Sequence, residues 1–168
     1  MAPGRIIAAI AIAGVLDISC AFVFAGMSGA APTSVLAGIA TGPFGAGIAQ
    51  SPWAPAIGLA IHFAIMSVMV IAFALMAQRF PRAMERAGPL AAGFAYGVIL
   101  YLVMYWIVLP LRWPEIHPQA DVVRVAKALF AHTVCTGIPI ALTLLPFRRG
   151  AASAADADTQ APGAVPHQ

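Results

Sequence analysis

IIAAIAIAGVLDISCAFVFAGM, residues 6–27, is the stretch whose reading decides the fold. Twenty-two residues rise ~33 Å as an α-helix, and the hydrocarbon of a bilayer is ~30 Å thick. A single ionisable side chain, Asp17, interrupts the run. Three further stretches share its character: residues 56–76, 90–111 and 125–145. Each reaches the roughly 20 apolar residues that a spanning helix needs. Together they predict an all-α membrane protein, a four-transmembrane-helix bundle occupying residues 1–149.

The composition of the whole chain agrees. Hydrophobic residues make up 61% and charged residues 9%, and the mean hydropathy is +0.90. Soluble domains carry about 25% charged residues. A water-facing fold of this size could not cover its surface with so few, whereas a bilayer removes the requirement. The balance is basic, with a formal charge of +3. The nine lysines and arginines are scattered between apolar runs, however, with no basic helix and no interleaved aromatic pattern, so nucleic acid is not an expected partner. The lipid bilayer is, and a homo-oligomer is compatible with the pattern. Cys20 and Cys135 both lie in apolar stretches and no CxxC occurs, so neither a zinc ribbon nor a disulfide framework is indicated.

Residues 6–27 could be mistaken for a secretory signal, since Arg5 precedes them and Ser28-Gly29-Ala30-Ala31 follows. The apolar run is too long for one and Asp17 breaks its core, so it reads as an uncleaved anchor. The connectors then set the orientation. Arg5, Arg79, Arg82, Arg86, Arg148 and Arg149 fall on one side of the bilayer, and Arg112, Arg124 and Lys127 on the other. The positive-inside rule puts both termini in the cytoplasm. The loop 28–55 carries no charge; Pro32-Thr33-Ser34 opens a short helical pattern that Gly42-Pro43 ends. An apolar, uncharged helix beside a membrane should lie in its interface, as a cap or as a gate. Trp53, Trp106 and Trp113 fall near the outer boundary, where aromatic rings anchor. Residues 150–168 are mostly Ala, Asp, Pro, Gly and Gln without periodicity, and read as a disordered cytoplasmic tail.

Ionisable groups inside hydrocarbon are costly and therefore mark candidate sites. Three occur: Asp17, His62 and His132. Counting along each span at 1.5 Å per residue puts Asp17 ~14 Å below the outer face, His62 ~9 Å and His132 ~10 Å. The third span contributes Tyr101 and Tyr105 at a similar depth. Helical faces favour a shared interior. Ala9 and Ala13 lead at four-residue intervals to Asp17, and Gly93 and Gly97 lead likewise to Tyr101 and Tyr105. Small residues let helices approach in lipid and polar ones hydrogen-bond across the contact. A buried Asp–His–Tyr cluster near the outer leaflet follows.

Several roles fit such a cluster. It could fix the register of the helices. It could relay protons or pass a small solute, as Asp and His do in membrane carriers. Asp17, His62 and His132 are also a donor set for a divalent metal, and His62 with His132 could ligate haem b from facing helices. No local motif raises either cofactor above the other, so none is predicted. Glu115, His117 and Asp121 in the outer loop read as solvated surface. Pro110 should end or kink the third span, and Pro139 should kink the fourth. No P-loop, GxSxG, HExxH or GxGxxG is present, so no catalytic residues are named and an enzyme of the soluble type is not expected.

Short motifs run through residues 10–145: Gly14-Val15-Leu16-Asp17, Ile39-Ala40-Thr41-Gly42, Gly58, His62-Phe63, Phe80-Pro81, Gly97, Val108-Leu109-Pro110-Leu111, His132 and Gly137-Ile138-Pro139-Ile140-Ala141. In these the chain resembles small four-helix bacterial membrane proteins, and more distantly the YagU-type inner-membrane proteins, which are longer between their first spans. The resemblance implies a bacterial inner membrane and four helices. It carries over no activity, so the roles above stay open.

Overall fold

Proline opens helix after helix in this chain. The computed structural model describes residues 2–114 and 121–145, and among them it contains helices and no strand. The helices are α1 (Pro3–Gly26), α2 (Pro32–Phe44), α3 (Ala54–Arg79), α4 (Pro81–Arg112) and α5 (Val122–Leu144). A proline occupies the first turn of α1, α2, α3 and α4. There its missing N–H costs nothing and its fixed φ suits the helix. α5 opens instead on Asp121, whose Oδ1 accepts from the backbone N–H of Val123 at 2.9 Å. Four of these helices, α1, α3, α4 and α5, are long and apolar enough to cross a membrane. The sequence-predicted tail 150–168, the arginines Arg148 and Arg149, and Glu115 and His117 lie outside the described residues.

α4 has two parts. Gly88 breaks it with φ +73° and ψ 167°, ahead of Pro89. Only glycine takes that backbone without strain. The break sets off the turn carrying Arg82, Glu85 and Arg86 from the apolar shaft that begins at Leu90. Further along, the two spanning prolines do not end their helices. Pro110 follows a π-helical turn over Met104–Val108, and Pro139 follows another over Ala131–Gly137. A helical proline offers no N–H and its ring presses on the carbonyl four residues back, here those of Trp106 and Cys135. A widened turn ahead of the proline relieves that clash, so the helices run on to Arg112 and Leu144.

The helices alternate in direction. Pro3, Arg79, Pro81 and Leu144 lie at one end, termed the terminal end; Gly26, Ala54, Arg112 and Val122 lie at the distal end. α1 packs on α3 and α5, α5 also packs on α4, and α2 lies along α3. α3 and α4 meet less extensively. The closest crossings are made by glycine. A methyl group on Gly93 would stand 2.7 Å from the Ile138 Cα, and one on Gly97 would stand 2.5 Å from the Thr133 Cα. Gly58 faces the backbone of Leu36 on α2 in the same way. Ala9 and Ala13 are fully buried on α1.

Toward the terminal end the space between helices is filled. Val70, Phe73, Ile140 and Leu144 pack there with Ala9 and Ala13. The Tyr96 hydroxyl donates to the Met69 carbonyl at 2.6 Å, joining α4 to α3. Arg5 donates to the Thr143 carbonyl at 3.0 Å, placing a cation on the C-terminal end of α5. The outward faces are apolar: Val23, Val68, Leu75 and Phe94 are all exposed. In water such a surface would be a large penalty, and in lipid it is the natural solvent-facing side.

Candidate functional site: a cavity in the distal half

Beyond the Phe73–Tyr96 layer the helices part and enclose a cavity of about 750 Å³. Asp17, His62, His132, Tyr101 and Tyr105, the five polar residues singled out by depth, all line it. Its walls differ. α1 and α5 present Asp17, Thr136 and His132, whereas α3 and α4 present chiefly Ile65, Met66, Met69, Met104 and Leu109 beside the two tyrosines. The widened turns of α4 and α5 carry Tyr105, His132 and Thr136. Such turns rotate side chains away from a regular helical stripe and recur at functional sites.

His62 is buried, and its ring is oriented by the backbone. Its Nε2 lies 2.9 Å from the Gly14 carbonyl oxygen. A carbonyl only accepts, so Nε2 carries a hydrogen and donates it. Nδ1 is then the position that can gain or lose a proton, and it faces the Asp17 Oδ2 at 4.0 Å. That separation is ion-pair range and longer than a hydrogen bond. The other carboxylate oxygen, Oδ1, accepts from the Thr136 hydroxyl at 3.0 Å. Thr136 also sits 3.1 Å from the Ala131 carbonyl. One hydroxyl has one proton, so it serves one acceptor at a time. An ionised Asp17 claims it; a protonated Asp17 can itself donate to Thr136 and release the hydroxyl to Ala131.

His132 is oriented the same way through its other nitrogen. Nδ1 donates to the Ala128 carbonyl at 2.9 Å, which leaves Nε2 as the exchangeable position. The Tyr101 and Tyr105 rings stack at 5.1 Å between centroids. The His132 ring stands edge-on to them at 6.4 and 5.8 Å. The structure therefore brings Asp17 to His62 and gathers His132 with the tyrosines, on one cavity.

At the distal rim stand Arg124 and Lys127. Lys127 Nζ lies 5.4 Å from the centre of the Phe24 ring, and Arg124 Nε lies 3.5 Å from the Asp121 Oδ2. α2 reaches the cavity through Ile39. Arg112, at the end of α4, donates from Nε to the Gly42 carbonyl and from its terminal nitrogen to the Thr41 carbonyl at 2.8 Å. A guanidinium on the last carbonyls of α2 satisfies orphan acceptors and opposes the helix dipole. It also ties α4 to α2 across the distal end.

The rim cations were not among the side chains picked out from the sequence. The signal was there: the stripe His132–Thr136, continued toward the N-terminus four residues at a time, reaches Ala128 and Arg124. Among the described residues no three His, Cys, Asp or Glu side chains converge as a metal-ligand group. Haem ligation needs an unprotonated, approachable ring nitrogen, but His62 donates from Nε2 to Gly14 and turns Nδ1 to Asp17. The residues do not fit a bis-histidine haem. Cys20 and Cys135 are both free thiols. Compared with protein-family models, curated proteins and solved structures, the chain gives no significant match.

Proposed function

We propose that this chain is a multi-pass bacterial inner-membrane protein that binds a small, mostly apolar molecule in its distal cavity. The Asp17–His62 pair is the polar group at the depth of that cavity. In this reading the four long helices form a transmembrane bundle with both termini in the cytoplasm, as Arg5, Arg79, Arg82 and Arg86 at the terminal end support. The distal end then faces outward, α2 lies in the outer interface, and the cavity sits in the outer leaflet. The single observation that carries the reading is the convergence of Asp17, His62 and His132 on one cavity of about 750 Å³. Ligand sites run from about 300 to 1,000 Å³, mostly apolar with a few convergent polar groups. The role is binding rather than catalysis.

The second reading is a proton-coupled carrier of the same molecule. The placement of His62 Nδ1 in ion-pair range of Asp17 favours it, because buried Asp and His together mark proton-coupled paths in membrane carriers. Passage to the cytoplasm would require the Phe73, Ile140 and Leu144 layer to open, within one copy or in a homo-oligomer.

The test is binding of tritiated dodecanol to the protein held in phosphatidylcholine nanodiscs and captured on scintillation beads. Saturable binding to the wild type is expected. Ala21→Phe, which puts a ring into the cavity, should abolish it while the protein still unfolds cooperatively. Equal binding by both proteins would refute the proposal.

A further inference from the structure

We propose that the ligand of this cavity is an anionic, single-chain amphiphile, its head group held at Lys127 and Arg124 and its tail directed toward Met66 and Met69. This rests on the cavity being a ligand site, as proposed above.

Charge is segregated along the cavity. Thr136 touches Asp17, and Lys127 lies nine residues away on α5, ~13 Å toward the distal end. The negative group is thus deep and already has partners in Thr136 and His62. The positive groups are at the rim. Lys127 is half-buried, and no carboxylate of the described residues lies within ion-pair distance of it; the Phe24 ring is its close contact. Arg124 adds a second cation while holding Asp121. A half-buried ammonium beside hydrocarbon is best satisfied by an anion.

Below the rim the α3–α4 wall suits a hydrocarbon tail. Met69 lies seven residues past His62 on α3, ~10 Å deeper. Counted from the starts of their spans, Lys127 lies ~3 Å and Met69 ~20 Å below the outer face, so rim to floor spans about 17 Å, room for one extended chain. Met66, Met69 and Met104 are unbranched and polarizable, so they can follow tails of differing length. A cationic head would be repelled by Lys127 and Arg124. A neutral head would forgo the charge-assisted contact.

The experiment uses the full chain in phosphatidylcholine nanodiscs with tritiated dodecanoate, dodecanol and dodecyltrimethylammonium. Dodecanoate should bind at least about tenfold more tightly than the ammonium compound. Lys127→Gln should weaken dodecanoate about tenfold, the worth of one charged hydrogen bond, and leave dodecanol within about twofold. Lys127→Arg should keep most of the dodecanoate affinity. Equal binding of anion and cation, or no effect of Lys127→Gln, overturns the head-group assignment while dodecanol binding still supports the cavity. Absence of dodecanol binding as well sinks the ligand site itself. Adding lysophosphatidylglycerol, a single-chain anionic phospholipid, to the discs separates two sources of the same chemistry. Lys127-dependent displacement of dodecanoate identifies a single-chain phospholipid; no displacement identifies a free carboxylate.

Discussion

Gly97→Ala should destabilise the protein by about 2 kcal/mol. The new methyl would lie 2.5 Å from the Thr133 Cα and 2.9 Å from the His132 carbonyl carbon, and would overlap the His132 carbonyl oxygen. These are backbone atoms of α5, so no side chain can swing away. Overpacking costs ~1–3 kcal/mol, and a rigid backbone partner puts this case near the top. Alanine's better helix propensity offsets at most ~1 kcal/mol. Gly4→Ala is the control: it lies in α1 with nothing within 4 Å of the added carbon, so only the propensity gain remains. Both variants can be followed by reversible unfolding in mixed micelles with increasing dodecyl sulfate, read by circular dichroism. Gly97→Ala should unfold at a lower dodecyl sulfate fraction than the wild type, and Gly4→Ala at the same or a higher one. If Gly97→Ala unfolds with the wild type, α4 and α5 do not cross as closely as described, and the placement of His132 beside Tyr105 loses its basis.

The Thr136–Asp17 hydrogen bond predicts a coupling of roughly 0.6–2 kcal/mol in a cycle of Thr136→Val, Asp17→Leu and the double variant, measured by the same unfolding. Strict additivity would mean that the contact contributes nothing. Gly88→Ala has open space around it but a φ of +73°, so it should cost ~1–2 kcal/mol through backbone strain alone. Arg112→Ala removes both donors from the Thr41 and Gly42 carbonyls, and amide hydrogen exchange should accelerate at the end of α2 while α1 stays protected. Unchanged exchange at Gly45, whose amide bonds to the Thr41 carbonyl, would show that Arg112 does not anchor that end.

The four long helices were legible because hydrophobicity and length are local properties. The stretches 6–27, 56–76, 90–111 and 125–145 fall within Pro3–Gly26, Ala54–Arg79, Pro81–Arg112 and Val122–Leu144 to within a residue or two. The start of the third at Leu90 coincides with the break at Gly88, since Gly-Pro stops a regular helix wherever it occurs. A constant axial rise put Asp17, His62 and His132 at comparable positions along their helices, and all three line one cavity. What could not be read was the response of a helix to its own proline. The sequence at Pro110 and Pro139 suggested ends or kinks, and it gave no sign of the widened turn that precedes each proline. Beside these turns Gly97 and Gly137 let α4 and α5 close on each other, a long-range contact that local sequence does not display. The part played by Lys127 was hidden because a rim lysine and a loop lysine look alike until the cavity beneath is known.

The central claim is that the distal cavity binds a small, mostly apolar molecule. The most direct measurement is photo-labelling with a diazirine-bearing dodecanol in nanodiscs, with the labelled residues read by mass spectrometry. The account predicts saturable labelling at Met66, Met104 and Ala128, which line the cavity, and loss of that labelling in excess dodecanol. Labelling confined to the outward-facing Leu75 and Phe94, or labelling that excess dodecanol does not reduce, would contradict it.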